Sequence, residues 1–150
     1  MTRKAAGTHE RPGEPVTGDT GPLVLIVDDV QDNRTIYVLF LKFSGFRIAE
    51  AENGVEALEK ATTLLPDVIV MDLSLPVMDG WEATRRLKRD PRTKKIPVVI
   101  LTGHALPEYA QAAREAGSDL VITKPCLPDQ LMDALRRILD APKARPKSGR

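Results

Sequence analysis

Five short apolar runs, separated by stretches with helical spacing, set the limits on what this chain can fold into. Leu23–Val27, Val68–Met71 and Val98–Leu101 are aliphatic without polar alternation, the pattern of strands covered on both faces, and Leu120–Ile122 reads as the last strand. Residues 46–51, FRIAEA, read as a weaker strand near a sheet edge. Between the runs, Ile36, Leu39, Phe40 and Phe43 recur at i, i+3, i+4 and i+7, one stripe of a helix that stops near Gly45. Val55, Leu58, Thr62 and Leu65 mark a second helix, ended by Pro66. Residues 80–89 form a third, with Asp79 as N-cap and Glu82 three positions on in the capping-box arrangement. A fourth lies around residues 107–116, between Pro107 in its first turn and Gly117 beyond its end. Leu127, Leu131, Ala134, Leu135, Ile138 and Leu139 make the last helix amphipathic. Five βα units in order predict an α/β domain, an open doubly wound parallel sheet with helices on both faces.

The flanks differ from this body. Residues 1–21 hold three basic and three acidic side chains and no aromatic ring, and residues 141–150, APKARPKSGR, hold four basic and no acidic ones. Both are poor in core-forming side chains, so they are expected to be disordered tails around a domain at 22–140. The one cysteine, Cys126, excludes an intramolecular disulfide and fits a reducing compartment. The body's longest aliphatic run, Leu23 to Val27, is far shorter than the roughly 20 residues a membrane span needs. The first residues lack the apolar stretch of a secretory signal, so the expected location is cytoplasmic.

The informative residues stand where these strands end. Asp28 and Asp29 follow the first run, Asp72 follows the third strand, Thr102 the fourth and Lys124 the fifth. In an open α/β sheet, ligands bind beyond the carboxyl ends of the strands, where the strand order reverses. Side chains spread over nearly the whole body would therefore converge. Each alone has a plain structural reading: a strand terminator, a helix cap, a turn residue before a proline. Their joint placement at four strand ends points to chemistry. Three crowded carboxylates repel one another and stay ionised only beside a cation. Oxygen-only ligands select a hard metal such as Mg²⁺. One carboxylate can then attack phosphorus, while the lysine ammonium and the hydroxyl meet the phosphoryl oxygens.

IVDD at 26–29, VMDLSLPVMDGWEA at 70–83, ILTGHA at 100–105 and ITKP at 122–125 together resemble the bacterial response-regulator receiver domain of two-component signalling. The likeness runs from about Leu23 to Leu139. It implies a flavodoxin-like (βα)5 fold with strand order 2-1-3-4-5. It implies that Asp72 is the phosphoacceptor, that Asp29 binds Mg²⁺ directly and Asp28 mainly through water, and that the backbone carbonyl of Ser74 is a further ligand. Thr102 is then the switch hydroxyl, with the small Gly103 beside it. Lys124 pairs with the phosphoryl oxygens, and Pro125 follows a cis peptide bond.

The sequence departs from the family's pattern at three places. Val121 stands three residues before the lysine, where an aromatic ring is frequent, and Cys126 stands after the Lys-Pro pair, where Phe is frequent. His104, two residues past Thr102, sits where side chains can influence how fast water attacks a phosphoryl group. Cys126 is expected to pack rather than to sense redox state, and Trp81 to be a partly exposed helix residue.

The resemblance implies no enzyme in the ordinary sense but a phosphoacceptor that assists its own phosphorylation and dephosphorylation. The donor would be a sensor histidine kinase or a histidine phosphotransfer protein. With no DNA-binding domain after Leu139, the output would be contact with a downstream protein target, as in single-domain regulators. A receiver fragment of a hybrid histidine kinase is the alternative. A Mg²⁺-dependent aspartyl-phosphate phosphatase of the haloacid-dehalogenase type would place a second Asp two residues after the nucleophile, where this chain has Ser74. A degenerate receiver is disfavoured by the full set of five side chains.

Overall fold

The computed structural model describes residues 20–103 and 107–140. Five strands, β1 (Leu23–Val27), β2 (Arg47–Ala51), β3 (Val68–Asp72), β4 (Val98–Thr102) and β5 (Leu120–Thr123), alternate with five helices. The helices are α1 (Gln31–Phe43), α2 (Gly54–Leu64), α3 (Gly80–Arg89), α4 (Pro107–Glu115) and α5 (Pro128–Asp140). All strands pair in parallel in the order β2-β1-β3-β4-β5, the expected flavodoxin-like arrangement. Every residue of β1, β3 and β4 is buried, as unalternating aliphatic runs require. The weak strand is indeed an edge, β2. Most of the expected tail residues fall outside the described residues. Gly21, expected within the tail, packs against the Gly45 carbonyl and accepts a 2.7 Å hydrogen bond from Arg47 Nε.

Alternate side chains of each strand feed two cores. Val24, Ile26, Val68, Val70, Val99 and Leu101 face α1 and α5 on one side; Leu25, Val27, Ile69, Met71, Val98 and Ile100 face α2, α3 and α4 on the other. The helix ends follow the local sequence. Asn53 and Asp79 accept from the amides of Glu56 and Glu82 at 2.8 and 2.9 Å, as N-caps do. Glu82 does not complete the expected capping box, because its carboxylate turns to Arg85 and Arg86 on the same helix. Gly117 closes α4 at φ 103°, the left-handed position that favours glycine.

Two helices present faces other than the expected ones. The stripe of Ile36, Leu39 and Phe43 lies outside, with exposures of 57%, 64% and 92%, and Phe40 is only partly buried. The buried face of α1 is instead Arg34, Val38 and Leu41. Both sets have helical spacing and lie on nearly opposite faces, so periodicity alone could not choose between them. In α2 the buried residues are Gly54, Ala57 and Ala61, while Val55 and Leu65 are exposed. Small side chains there let the helix lie close to its neighbours, and Gly54 itself sits against the Met78 carbonyl.

Because α1 buries its other face, Phe43→Ser or Leu39→Ser should change unfolding free energy by less than about 0.5 kcal/mol. Leu41→Ala should cost about 2–5 kcal/mol as a core deletion. Urea denaturation of the three variants reads this directly, and a large loss at Phe43 would contradict the exposed placement.

Candidate functional site

The strand order reverses between β1 and β3, which are neighbours although β2 separates them in sequence. The two chains leave the sheet there toward opposite faces and open a crevice at their carboxyl ends. Asp28 follows β1 and Asp72 ends β3; both are buried. Asp29, beside them, is exposed. One carboxylate oxygen from each of the three lies within 4.8 Å of the others. Thr102 ends β4 and is buried, and Lys124 follows β5 with its ammonium 2.9 Å from Asp72 Oδ1. The cluster and the lysine thus meet as the strand-end placement implies.

Local hydrogen bonds hold each part. The Asp28 amide donates to the Ala51 carbonyl at 3.1 Å, joining the ends of β1 and β2. Asp28 Oδ1 accepts from the Val30 amide at 2.9 Å, which folds the turn into α1. Lys124 is fixed from its backbone, its amide donating to the Thr102 carbonyl at 2.7 Å, and the Lys124-Pro125 peptide is cis. Beyond it, the Cys126 carbonyl accepts from Tyr37 Oη at 2.8 Å, so α1 ties down the loop that carries the lysine. Gly80 opens α3 where a Cβ would meet the Asp72 carbonyl at 2.7 Å, so a side chain there would push α3 away from the site. Between them, Ser74 is exposed on the β3–α3 loop, and Val77 adopts φ 70° in a tight turn closed by the Met78 amide on the Pro76 carbonyl.

The electrostatics are those of a site short of positive charge. Burial raises the Asp72 carboxyl above its usual range; the hydrogen bond and charge of Lys124 oppose this, and Asp28 and Asp29 push it further up. The Tyr37 phenol is also raised, first by burial, with the Asp28 and Asp72 carboxylates adding to it. Among the described residues, the clustered Asp28, Asp29 and Asp72 offer carboxylate oxygen, which suits a hard divalent cation.

The residues flagged as departures divide. Val121 is half-buried opposite Ile100 and packs against the second core. Cys126 is buried in the first core, and burial raises its thiol, so it packs as an uncharged group. Trp81 is partly buried on α3 against the second core. His104 lies outside the described residues. Sequence reasoning missed Arg34 and Tyr37, the two α1 side chains that reach the site's backbone. The only available signal was their i, i+3 spacing just after the acidic pair.

A family model described as the response regulator receiver domain matches residues 24–136. The phosphate regulon transcriptional regulatory protein PhoB of Pseudomonas aeruginosa is 37% identical over 119 residues, covering 79% of this chain and 52% of its own, so the chain spans about half of that relative. The polar-differentiation response regulator DivK of Brucella anthropi is 32% identical over 77% of this chain and 94% of its own. A crystal structure of the receiver domain of sensor histidine kinase PA1611 from Pseudomonas aeruginosa PAO1, with a magnesium ion coordinated in the active site cleft, superposes with a TM-score of 0.74 at 30% identity, covering 80% of this chain and 98% of that one. Sheet order, strand-end carboxylates and sequence likeness agree: the chain belongs to the response regulator receiver domain family of two-component signalling.

Proposed function

We propose that this chain accepts a phosphoryl group on Asp72 and passes the signal on through protein contacts. The observation that carries this reading is the approach of Lys124 Nζ to Asp72 Oδ1 within a cluster of three carboxylates. The donor is a sensor histidine kinase or a histidine phosphotransfer protein. An Asp72 oxygen attacks phosphorus, a P–O bond forms, and the P–N bond to the donor imidazole breaks. Asp72 acts as nucleophile because, among the described residues, it is the one of the three paired with an ammonium poised to meet the phosphoryl oxygens. Thr102, at the neighbouring strand end, supplies the switch hydroxyl.

The oxygen donor set fits Mg²⁺. Asp29 and Asp72 would bind it directly, Asp28 mainly through water, and the Ser74 carbonyl would be a further ligand. Bound there, the ion would neutralise the carboxylates and the incoming phosphoryl oxygens. The magnesium in the cleft of the PA1611 receiver supports this assignment. A phosphatase reading gains nothing from Ser74, which cannot act as a carboxylic general acid.

Partner contact has a physical basis in the outer face of α1. Ile36, Leu39, Phe40 and Phe43 form an open apolar hollow with Pro128 of α5. A continuous apolar surface of this kind is a usual mark of a protein-binding site. Among the described residues no helix is long and apolar enough to cross a membrane. A cytoplasmic phosphoacceptor working through a downstream protein is the reading we adopt, whether it acts alone or as part of a hybrid kinase.

Mg²⁺ with beryllofluoride, a phosphoryl mimic, should raise the melting temperature, because it binds the folded crevice and not the unfolded chain. At a hundredfold excess over Kd the gain is about 2.7 kcal/mol. Asp72→Asn should abolish the shift in a thermal melt, and a surviving shift would move the acceptor elsewhere. Lys124→Ala should leave Mg²⁺ affinity intact or tighter, since a competing positive charge is gone, while phosphorylation or its output fails. Calorimetry paired with phosphotransfer assays separates the two effects, and an equal loss of Mg²⁺ binding would displace Lys124 from its assigned role.

A further inference from the structure

We propose that Arg34 is a positioning residue for the metal-binding carboxylates, holding the Asp28–Asp29 turn in place through the Asp28 backbone with Glu50 as its anchor. The inference rests on the reading of Asp28, Asp29 and Asp72 as the Mg²⁺ site. Arg34 is unusual for an arginine in being almost wholly buried, at 7% exposure, on the inner face of α1. Its Nη1 donates to the Asp28 carbonyl at 2.6 Å, and its Nε donates to Glu50 Oε1 at 2.9 Å. Glu50 belongs to β2, so the guanidinium spans from the edge strand to the end of β1.

Asp28 is consequently held by three contacts: its amide on Ala51, its carbonyl under Arg34, and its Oδ1 on the Val30 amide. Asp29 has no side-chain hydrogen bond or ion pair among the described residues. The position from which its carboxylate projects is therefore set by the backbone on either side, held at Asp28 and at Val30. Two like charges side by side favour moving apart, and the held turn limits how far the backbone beneath them can give way. A planar guanidinium with a fixed fork suits this task, since one group satisfies a carbonyl and a carboxylate at a set separation.

Charge and position make opposite demands, and this separates them. Arg34 is a cation near the cation site, so its field alone would weaken Mg²⁺ binding and its removal would tighten it. If Arg34 positions the turn, removal must weaken binding in spite of the relieved repulsion. Arg34→Met keeps most of the buried volume and drops both hydrogen bonds; Arg34→Lys keeps the charge and can serve only one partner well. The test is calorimetric Mg²⁺ titration of the full chain at fixed ionic strength, with amide exchange at Asp28 and Val30 in the metal-free protein.

Arg34→Met should weaken Mg²⁺ binding by about tenfold, the scale of outer-shell losses at metal sites, and speed exchange at both amides. Arg34→Lys should fall between it and the parent. Val38→Ala, a core deletion on the same buried face, should lower stability yet leave Mg²⁺ affinity at the parent value. Unchanged or tighter binding in Arg34→Met, with exchange as in the parent, would overturn the proposal. Should that variant not fold, Arg34→Lys decides alone, parental affinity and exchange counting against it. A parent chain that binds no Mg²⁺, or whose binding survives Asp29→Asn, would instead remove the metal-site reading beneath it.

Discussion

Three carboxylates with oxygens within 4.8 Å of one another are the constraint to which the rest of the structure answers. Such groups lower their energy by spreading apart or by taking up protons, and the raised Asp72 carboxyl shows that tendency, led by burial and strengthened by Asp28 and Asp29. A rigid frame, with Lys124 paired to Asp72, keeps them together. That frame is the buried pair β1 and β3, whose apolar side chains on both faces each contribute about 1.5–3 kcal/mol of burial. The cost of crowding the carboxylates is thus carried by the apolar side chains of those strands, which face the two cores and not the crevice.

Helix α1 joins this frame to the loops. Its inner face does not simply fill the core, for beside Val38 and Leu41 it carries Arg34 and Tyr37, whose polar ends reach the Asp28 and Cys126 carbonyls. One helix therefore touches both the acidic turn after β1 and the lysine-bearing loop after β5. Such contacts are to backbone, so they fix the path of the chain without drawing on the carboxylates or the ammonium. Unsatisfied carbonyls buried at these places would cost about 1–3 kcal/mol each.

The strands and the placement of Asp28, Asp29, Asp72, Thr102 and Lys124 were legible in the sequence because both depend on runs of residues with one strong pattern. A doubly covered strand can only be aliphatic, and its end is marked by the first polar residue. The inner face of α1 was not legible, since Ile36–Phe43 and Arg34–Leu41 offer rival stripes of the same period and the better hydrophobic stripe is the outer one. Arg34 reads from sequence as a solvated charge; only the carbonyl and carboxylate supplied by distant strands make its burial affordable. In α2 the small residues Gly54, Ala57 and Ala61 face inward because close approach outweighs side-chain area, a choice made by the neighbouring elements. Gly80 likewise looks like any helix-start glycine until the Asp72 carbonyl is seen against it.

Burial also gives the crevice a direction. Its floor is buried, made by Asp28, Asp72 and Thr102, whereas Asp29, Ser74 and Lys124 stand toward its rim, the lysine side chain 31% exposed against 8% for Asp72. A ligand entering the crevice would therefore come from the rim side. The chain on that side includes the turn into α1, and the same helix turns Ile36, Leu39 and Phe43 outward rather than into the core. Had α1 buried its more apolar face, Arg34 would point to solvent and could not reach the Asp28 carbonyl. The exposed apolar surface and the buried guanidinium are two consequences of one rotation of the helix about its axis. The sequence accommodates that rotation by giving the inner face just enough apolar area, Val38 and Leu41 packed beside Phe46 and Ile48, to hold the helix on the sheet.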